Sequence, residues 1–256
     1  MPNILPAWKR LPGHAALALL LAGAPAWAEG QHPQSAGQIA FSQLPEGPLP
    51  APWHFATLPG KSPTQFGIAS LDGEHVLRVS TSDAYGNLVY PLPGAVNGAA
   101  AALRLSWRWR VDQLVAKADI RSRSGDDAAL KLCVSFDFDR SRLGFGERAR
   151  LRLGQIHTGE RIPAETLCYV WDNQLPVGTQ LHNAFTHRMR FIVLQSGSTH
   201  LGQWMSESRD LAADYAQAFG DESAGMPAVI DITVSADSDN THGSGLAYMG
   251  DIHLGP

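Results

Sequence analysis

Strict two-residue alternation does most to narrow the folds open to this chain. In LRLSWRWRVD, Leu103, Leu105, Trp107, Trp109 and Val111 fall on one side, and Arg104, Ser106, Arg108, Arg110 and Asp112 on the other. Successive side chains of a strand point to opposite faces, so such a segment buries one face and keeps the other polar. ALKLCVSFDFD repeats the pattern with Leu130, Leu132, Val134, Phe136 and Phe138. GEHVLRVSTS, HRMRFIVLQSG, AVIDITVSAD and GLAYMGDIHL follow it less strictly, with Gly, Pro, Asp and Asn between the segments. Many short alternating segments joined by turn residues predict an all-β, antiparallel sandwich. Two stretches break the period. Leu143 to His157 is arginine-rich and predicts a short helix in a long connection. Arg209 to Phe219 carries Leu211, Tyr215 and Phe219 at helical spacing, with Gly220 as the stop. No repeat or linker divides the chain, so residues 41–256 are expected to form a single domain.

The first 28 residues have a different character. Lys9 and Arg10 precede the apolar run Ala15 to Ala22, and Ala26-Trp27-Ala28 places small residues where a signal peptidase cuts. The run is shorter than the ~20 residues of a spanning helix. A cleaved signal is expected over 1–28, with a retained N-terminal anchor as the alternative, and a flexible polar leader over 29–40. No later stretch reads as a transmembrane segment. The expected location is the periplasm. Loss of Lys9 and Arg10 takes the net charge from -4 to -6, because no acid precedes Glu29. A mildly acidic chain is a poor match for nucleic acid, which needs a basic field. With 44% apolar and 17% charged residues, the chain can bury a substantial core. An oxidising compartment permits a Cys133–Cys168 disulfide if their strands are neighbours. Two free buried cysteines are the other reading.

Three constellations could carry chemistry. Arg108 and Arg110 share one strand face, ~7 Å apart. Paired guanidiniums need carboxylates or an anionic ligand, and Asp126, Asp127 and Asp137 are the nearest candidates. A merely solvated face with cross-strand ion pairs is the plainer alternative. Second, Asp237, Asp239 and Asn240 in SADSDNT resemble the start of a calcium loop. A helix-loop-helix calcium motif would need Gly at position six and an acid at twelve, where His242 and Tyr248 stand. That leaves a structural calcium site shared with other loops, or an ordinary Asx-rich turn. Third, Trp171 beside Asp172 and Asn173 could stack on a sugar ring, or be a rim tryptophan. Trp204 with Glu207 and Arg209 raises the same question. Nucleophile-elbow, zinc-protease and phosphate-loop signatures are absent. A carboxylate pair, Asp126 or Asp127 with Asp137 or Glu207, is available on paper.

Taken in order, DGEHVLRVST, LSWRWRVD, SGDDAALKLCVSFDFD, ETLCYVWDN, RMRFIVLQSG, the W-x-x-E-x-R-D-L segment and SADSDNT…AYMGDIHL resemble a bacterial exported family known only as domain of unknown function 3047. The resemblance spans residues 41–254. It implies a jelly-roll-like β-sandwich similar to carbohydrate-binding modules, and no particular activity. The resulting expectation is an exported module that binds a polar ligand, a glycan or anionic small molecule. Arg108 and Arg110 would contact it, Asp126 and Asp127 would orient them or accept sugar hydroxyls, and Trp171 would stack. A glycan hydrolase or lyase on the same scaffold is one alternative, and an envelope structural or assembly protein another. No cofactor is expected, unless the Asp237 turn is the structural calcium site and not an ordinary Asx-rich turn.

Overall fold

The computed structural model describes residues 37–96, 103–159 and 161–255. The expected signal and most of the leader lie outside these residues. In the first half the strands are β1 Gly37–Ile39, β2 His54–Ala56, β3 Ser62–Pro63, β4 Gln65–Leu71, β5 Glu74–Ser82, β6 Ala84–Val96 and β7 Arg104–Gln113. The second half adds β8 Ala128–Phe136, β9 Glu165–Asp172, β10 Gln180–His182, β11 Met189–Ser196, β12 Met205–Asp210, β13 Val229–Asp237 and β14 Ser244–Gly255. Helix α1, Phe145–Thr158, joins β8 to β9, and α2, Leu211–Phe219, follows β12. Among the described residues no helix is long and apolar enough to cross a membrane.

The strands make two sheets. One runs β12-β7-β14-β5-β4, with β1 also on β14. The other runs β10-β11-β9-β8-β13-β6-β2, with β3 on β6. Pairing is antiparallel except for β9 with β11 and β3 with β6. This is the predicted jelly-roll-like antiparallel β-sandwich, with two short helices in its connections.

The alternating faces meet as the pattern demands. Trp107 and Trp109 of β7 point inward and contact Tyr169 and Trp171 of β9, with ring centroids 5.1 and 5.9 Å apart. Leu130, Leu132, Val134 and Phe136 of β8 join them in one buried cluster. Truncating one of these large aromatics costs ~3–5 kcal/mol, because the surrounding close-packed side chains cannot collapse into the space. Cys133 and Cys168 stand directly opposite each other in the β8–β9 pair and are joined as a disulfide.

Three details depart from the sequence pattern. β6 continues through Pro91 and Pro93, because Pro91 falls beside a bulge in β13 where the ladder is already interrupted. Arg209 and Asp210 end a strand rather than begin a helix. The Asp210 carboxylate accepts from the Ala213 N–H at 3.0 Å, so it is the N-cap of α2. α1 ends at Gly159, whose left-handed backbone (φ 74°) favours glycine.

Candidate functional site

Arg108 and Arg110 lie on the outer face of the six-stranded sheet, as the alternation requires. Arg108 pairs with Glu74, and its guanidinium lies 4.8 Å over the Trp204 ring. A Cβ at Gly250 would sit 2.6 Å from the Arg108 side chain, so this glycine makes room for it. Arg110 donates to Asp112 at 2.6 Å and to Asp72 at 3.3 Å. The acids that orient both arginines are therefore Glu74, Asp72 and Asp112 from the same sheet. The expectation that Asp126 and Asp127 do so is corrected. Those two residues lead into β8 of the other sheet.

Trp171 is also corrected. It is 1% exposed, packs on Trp109 and donates to the Gly197 carbonyl at 3.2 Å. It shares a face with Leu167 and Tyr169, and that face is the core. Trp204, Glu207 and Arg209 do not gather either. Trp204 meets Arg108 outside, while Glu207 accepts from Trp109 Nε1 at 3.2 Å and from Gln195 at 2.8 Å on the inner side. Burial pushes the Glu207 carboxyl above the usual range. Arg209 instead pairs with Asp214. Asp137 pairs with Arg161 at 3.2 Å at the far end of β8, roughly 30 Å of strand from Asp126. The proposed carboxylate pairs across these residues are not formed.

Pairing of β8 with β13 brings the two remaining constellations together at one end of the eight-stranded sheet. Asp127 ties down the turn after β13. It accepts from the Asn240 N–H at 3.2 Å, the Asn240 amide at 3.1 Å, and the Thr241 N–H and hydroxyl at 2.7 and 2.6 Å. Asp237 accepts from Lys131 Nζ on both oxygens, at 2.9 and 2.8 Å, and from the Ala128 N–H. Asp239 pairs with Lys61 at 2.8 Å. These contacts correct the calcium reading of Asp237, Asp239 and Asn240. Two ammonium groups, Lys131 and Lys61, already pair with the Asp237 and Asp239 carboxylates. Among the described residues no group of three or more His, Cys, Asp or Glu side chains is placed to hold a metal ion.

What this end lacks is donors. Asp126 accepts from the Asn183 amide at 2.5 Å on one oxygen, and its Oδ1 has no hydrogen-bond partner although the residue is 6% exposed. Asp239 Oδ1 is in the same state, in a residue also 6% exposed. A buried acceptor without a donor costs ~1–3 kcal/mol, so each of these two oxygens calls for an account. Burial raises the Asp126 carboxyl above its ordinary value against the pull of Lys131 and Asn183, and Asp127 and Asp239 add to the rise. Burial likewise lifts Asp237 to about 6, with Lys131 opposing. Burial pulls the Lys131 ammonium down, but Asp237 and Asp126 more than offset it, so Lys131 and Asp237 form an ion pair at neutral pH. Ladder register sets Tyr85 and Asn87 of β6 and Ser235 of β13 on the same outer face. Asn87 donates to the Tyr85 hydroxyl at 3.0 Å. The assembly combines a carboxyl with raised proton affinity, three further carboxyl groups, one buried ammonium and neutral hydroxyl and amide groups. Such a set can hold hydroxyls and move a proton.

The opposite end of the sheet holds a second charged cluster that the sequence patterns did not single out. Glu165 is buried, accepts from the Tyr215 hydroxyl at 2.6 Å, and lies 4.0 Å from Arg188. Arg188 and Arg190 both pair with Glu222, Arg188 also with Glu147, and Arg190 also with Asp221. Burial raises Glu165 to about 7, and Glu222 adds to the rise against Tyr215, Arg188 and Arg190. Beside it opens a cavity of about 300 Å³ lined by Gln180, His182, Arg190, Gln217 and Asp221.

Fold and cluster together define an antiparallel β-sandwich with a donor-poor acidic end. The chain belongs to the family described as "Protein of unknown function (DUF3047)", whose family model matches residues 51–253. No curated protein matches it. Among solved structures it is similar to the endoglucanase 3 of Trichoderma harzianum from family GH12. Identity is 10%, coverage 81% of this chain and 99% of that one, and the TM-score 0.41. It is also similar to CBM29_1, a family 29 carbohydrate-binding module from Piromyces equi, at 8% identity, 87% and 92% coverage and a TM-score of 0.33. A third is the Spr0440 glycoside hydrolase domain, Endo-D, from Streptococcus pneumoniae R6. There identity is 7% and the TM-score 0.32, and the match covers 79% of this chain but only 21% of that one.

Proposed function

We propose that the protein is an exported, saccharide-acting enzyme, a glycan hydrolase or lyase, with Asp126 as its acid–base group. One observation carries this reading: Asp126 Oδ1 is buried without a donor, in a carboxyl whose proton affinity burial has raised. A carboxyl in that state can give a proton to a glycosidic oxygen or take one from a sugar carbon. Asp239, held by Lys61 and with its own free oxygen, supplies a second carboxylate. Lys131 keeps Asp237 ionised beside them. Export rests on the expected signal over residues 1–28, and directs attention to glycans of the envelope or medium.

The loss of Trp171 as a stacking platform weighs against a simple binding module. The polar row of Tyr85, Asn87 and Ser235 supports that second reading on the same face. Reducing-end and unsaturated-product assays on envelope and capsular glycans, paired with calorimetry, separate the two. Turnover is expected to fall at least about a hundredfold in Asp126→Asn while binding stays within a few-fold. Binding without product from any glycan favours the module. Neither binding nor product sinks both. Export is checked by the N-terminus of the periplasmic protein, expected at Glu29.

A further inference from the structure

Helix α1 turns an apolar face to solvent. Phe145 is 82% exposed, Ile156 71% and Leu153 65%. Only Leu151 is buried, in a small cluster with Phe138, Leu143 and Ala164. At ~100° per residue, Phe145, Ala149, Leu153 and Ile156 form one outward stripe. Arg148 and Arg152 border it on one side, and Arg150 and His157 on the other. The acid of this helix, Glu147, turns inward to Arg188 at 3.2 Å. The outward face is therefore apolar at its crest and cationic on both flanks. Three further arginines stand at its base, Arg140, Arg142 and Arg161, two of them occupied by the Ile162 and Glu222 carbonyls and the third by Asp137.

We propose that α1 docks on the surface of an anionic phospholipid bilayer. The apolar row runs ~16 Å from Phe145 to Ile156 along a convex helix surface. An apolar crest flanked by arginines complements acyl chains bordered by anionic headgroups. As the crest enters the headgroup layer, the long arginine side chains reach back to lipid phosphates while their methylenes stay in apolar surroundings. A basic helix with large aromatic and aliphatic side chains on one stripe is the pattern of an interfacial helix. This placement does not depend on the saccharide reading, because α1 and the acidic end share no residue.

The test uses the mature chain from Glu29, which lacks the apolar run 15–22, with vesicles of 70:30 phosphatidylcholine:phosphatidylglycerol and of phosphatidylcholine alone, read by co-sedimentation. Binding is expected to the anionic vesicles, about tenfold weaker in Phe145→Ser/Ile156→Ser and about fivefold weaker for each arginine removed in Arg150→Gln/Arg152→Gln. All four side chains are exposed, and unchanged thermal melting confirms that the variants fold. An environment-sensitive dye on Ile156→Cys should shift to the blue with the anionic vesicles and not with the neutral ones. Equal partition into both vesicles, or partition unchanged in either variant, overturns the proposal. So does a concentration-dependent dimer that the serine variant abolishes, which would assign the crest to a second copy of the chain.

Discussion

The two ends of the eight-stranded sheet bury charge in opposite ways. At the end where β9 begins, Glu165, Glu222, Asp221 and Glu147 meet two arginines and the Tyr215 hydroxyl. Each guanidinium is a five-donor fork that serves several carboxylates at once. The polar atoms left without hydrogen bonds there, Glu165 Oε1 with Arg188 Nε and Nη1, are donors and acceptor together, so the charges compensate in place. At the end where β8 begins, Asp126, Asp127, Asp237 and Asp239 meet two ammonium groups, Lys131 and Lys61. The atoms left over there are acceptors only, Asp126 Oδ1 and Asp239 Oδ1. The first end closes on itself as a clamp between sheet and α2. The second is short of donors, and hydroxyl groups from outside the chain would supply them. A buried charge cluster thus reads as a site or a strut according to which kind of atom it leaves unserved.

The contrast is most easily broken at Lys131. Lys131→Met leaves Asp237 buried with no cation, and a loss of about 3–5 kcal/mol is expected. Urea denaturation checks it, and a loss below about 1 kcal/mol would show that this end is wet enough to screen itself. Next is Glu165. Its folded pKa of about 7 lies above the ordinary 4.5, so between these values the folded protein holds a proton that the unfolded chain releases. Stability from this group is full below pH 4.5 and is lost as pH rises through 7, by roughly 2–3 kcal/mol. Glu165→Gln should flatten that slope, read from urea midpoints at pH 5 and pH 8. A slope that survives would move the titration to another group. The smallest effect is expected from Arg110→Ala on the outer face of the six-stranded sheet. Solvent-facing pairs with Asp112 and Asp72 contribute under about 1 kcal/mol, and a larger shift of the melting temperature would make that face structural too.

Much of the fold was legible because alternation is local. LRLSWRWRVD announces which residues of β7 face the core, and they do. Alternation does not say whether the other face meets water. Lys131, Cys133 and Ser135 occupy the polar phase of β8 and are buried nonetheless. ETLCYVWD is buried on both faces, so its pattern could not place Trp171 inside or at a rim. The acidic end was legible only in halves. Asp126 and Asp127 lie more than a hundred residues from Asn240, and only the β8–β13 ladder joins them. The clamp did have a signal in the sequence. Arg188 and Arg190 keep step with the core residues Ile192 and Leu194, as Glu165 does with Leu167 and Tyr169. A charge in phase with a core face is a charge that must be buried and paired.

Strand order has a consequence for timing. β13 lies between β8 and β6, and β14 between β7 and β5. Both sheets thus take an interior strand from one stretch, Val229 to Gly255. Until that stretch pairs, each sheet is two fragments with raw edges facing a gap. Closure must then happen in both layers almost at once, through contacts of long sequence separation, the kind that form slowly. Neither layer is a continuous sheet until β13 and β14 have taken their places, so the sandwich forms late or not at all.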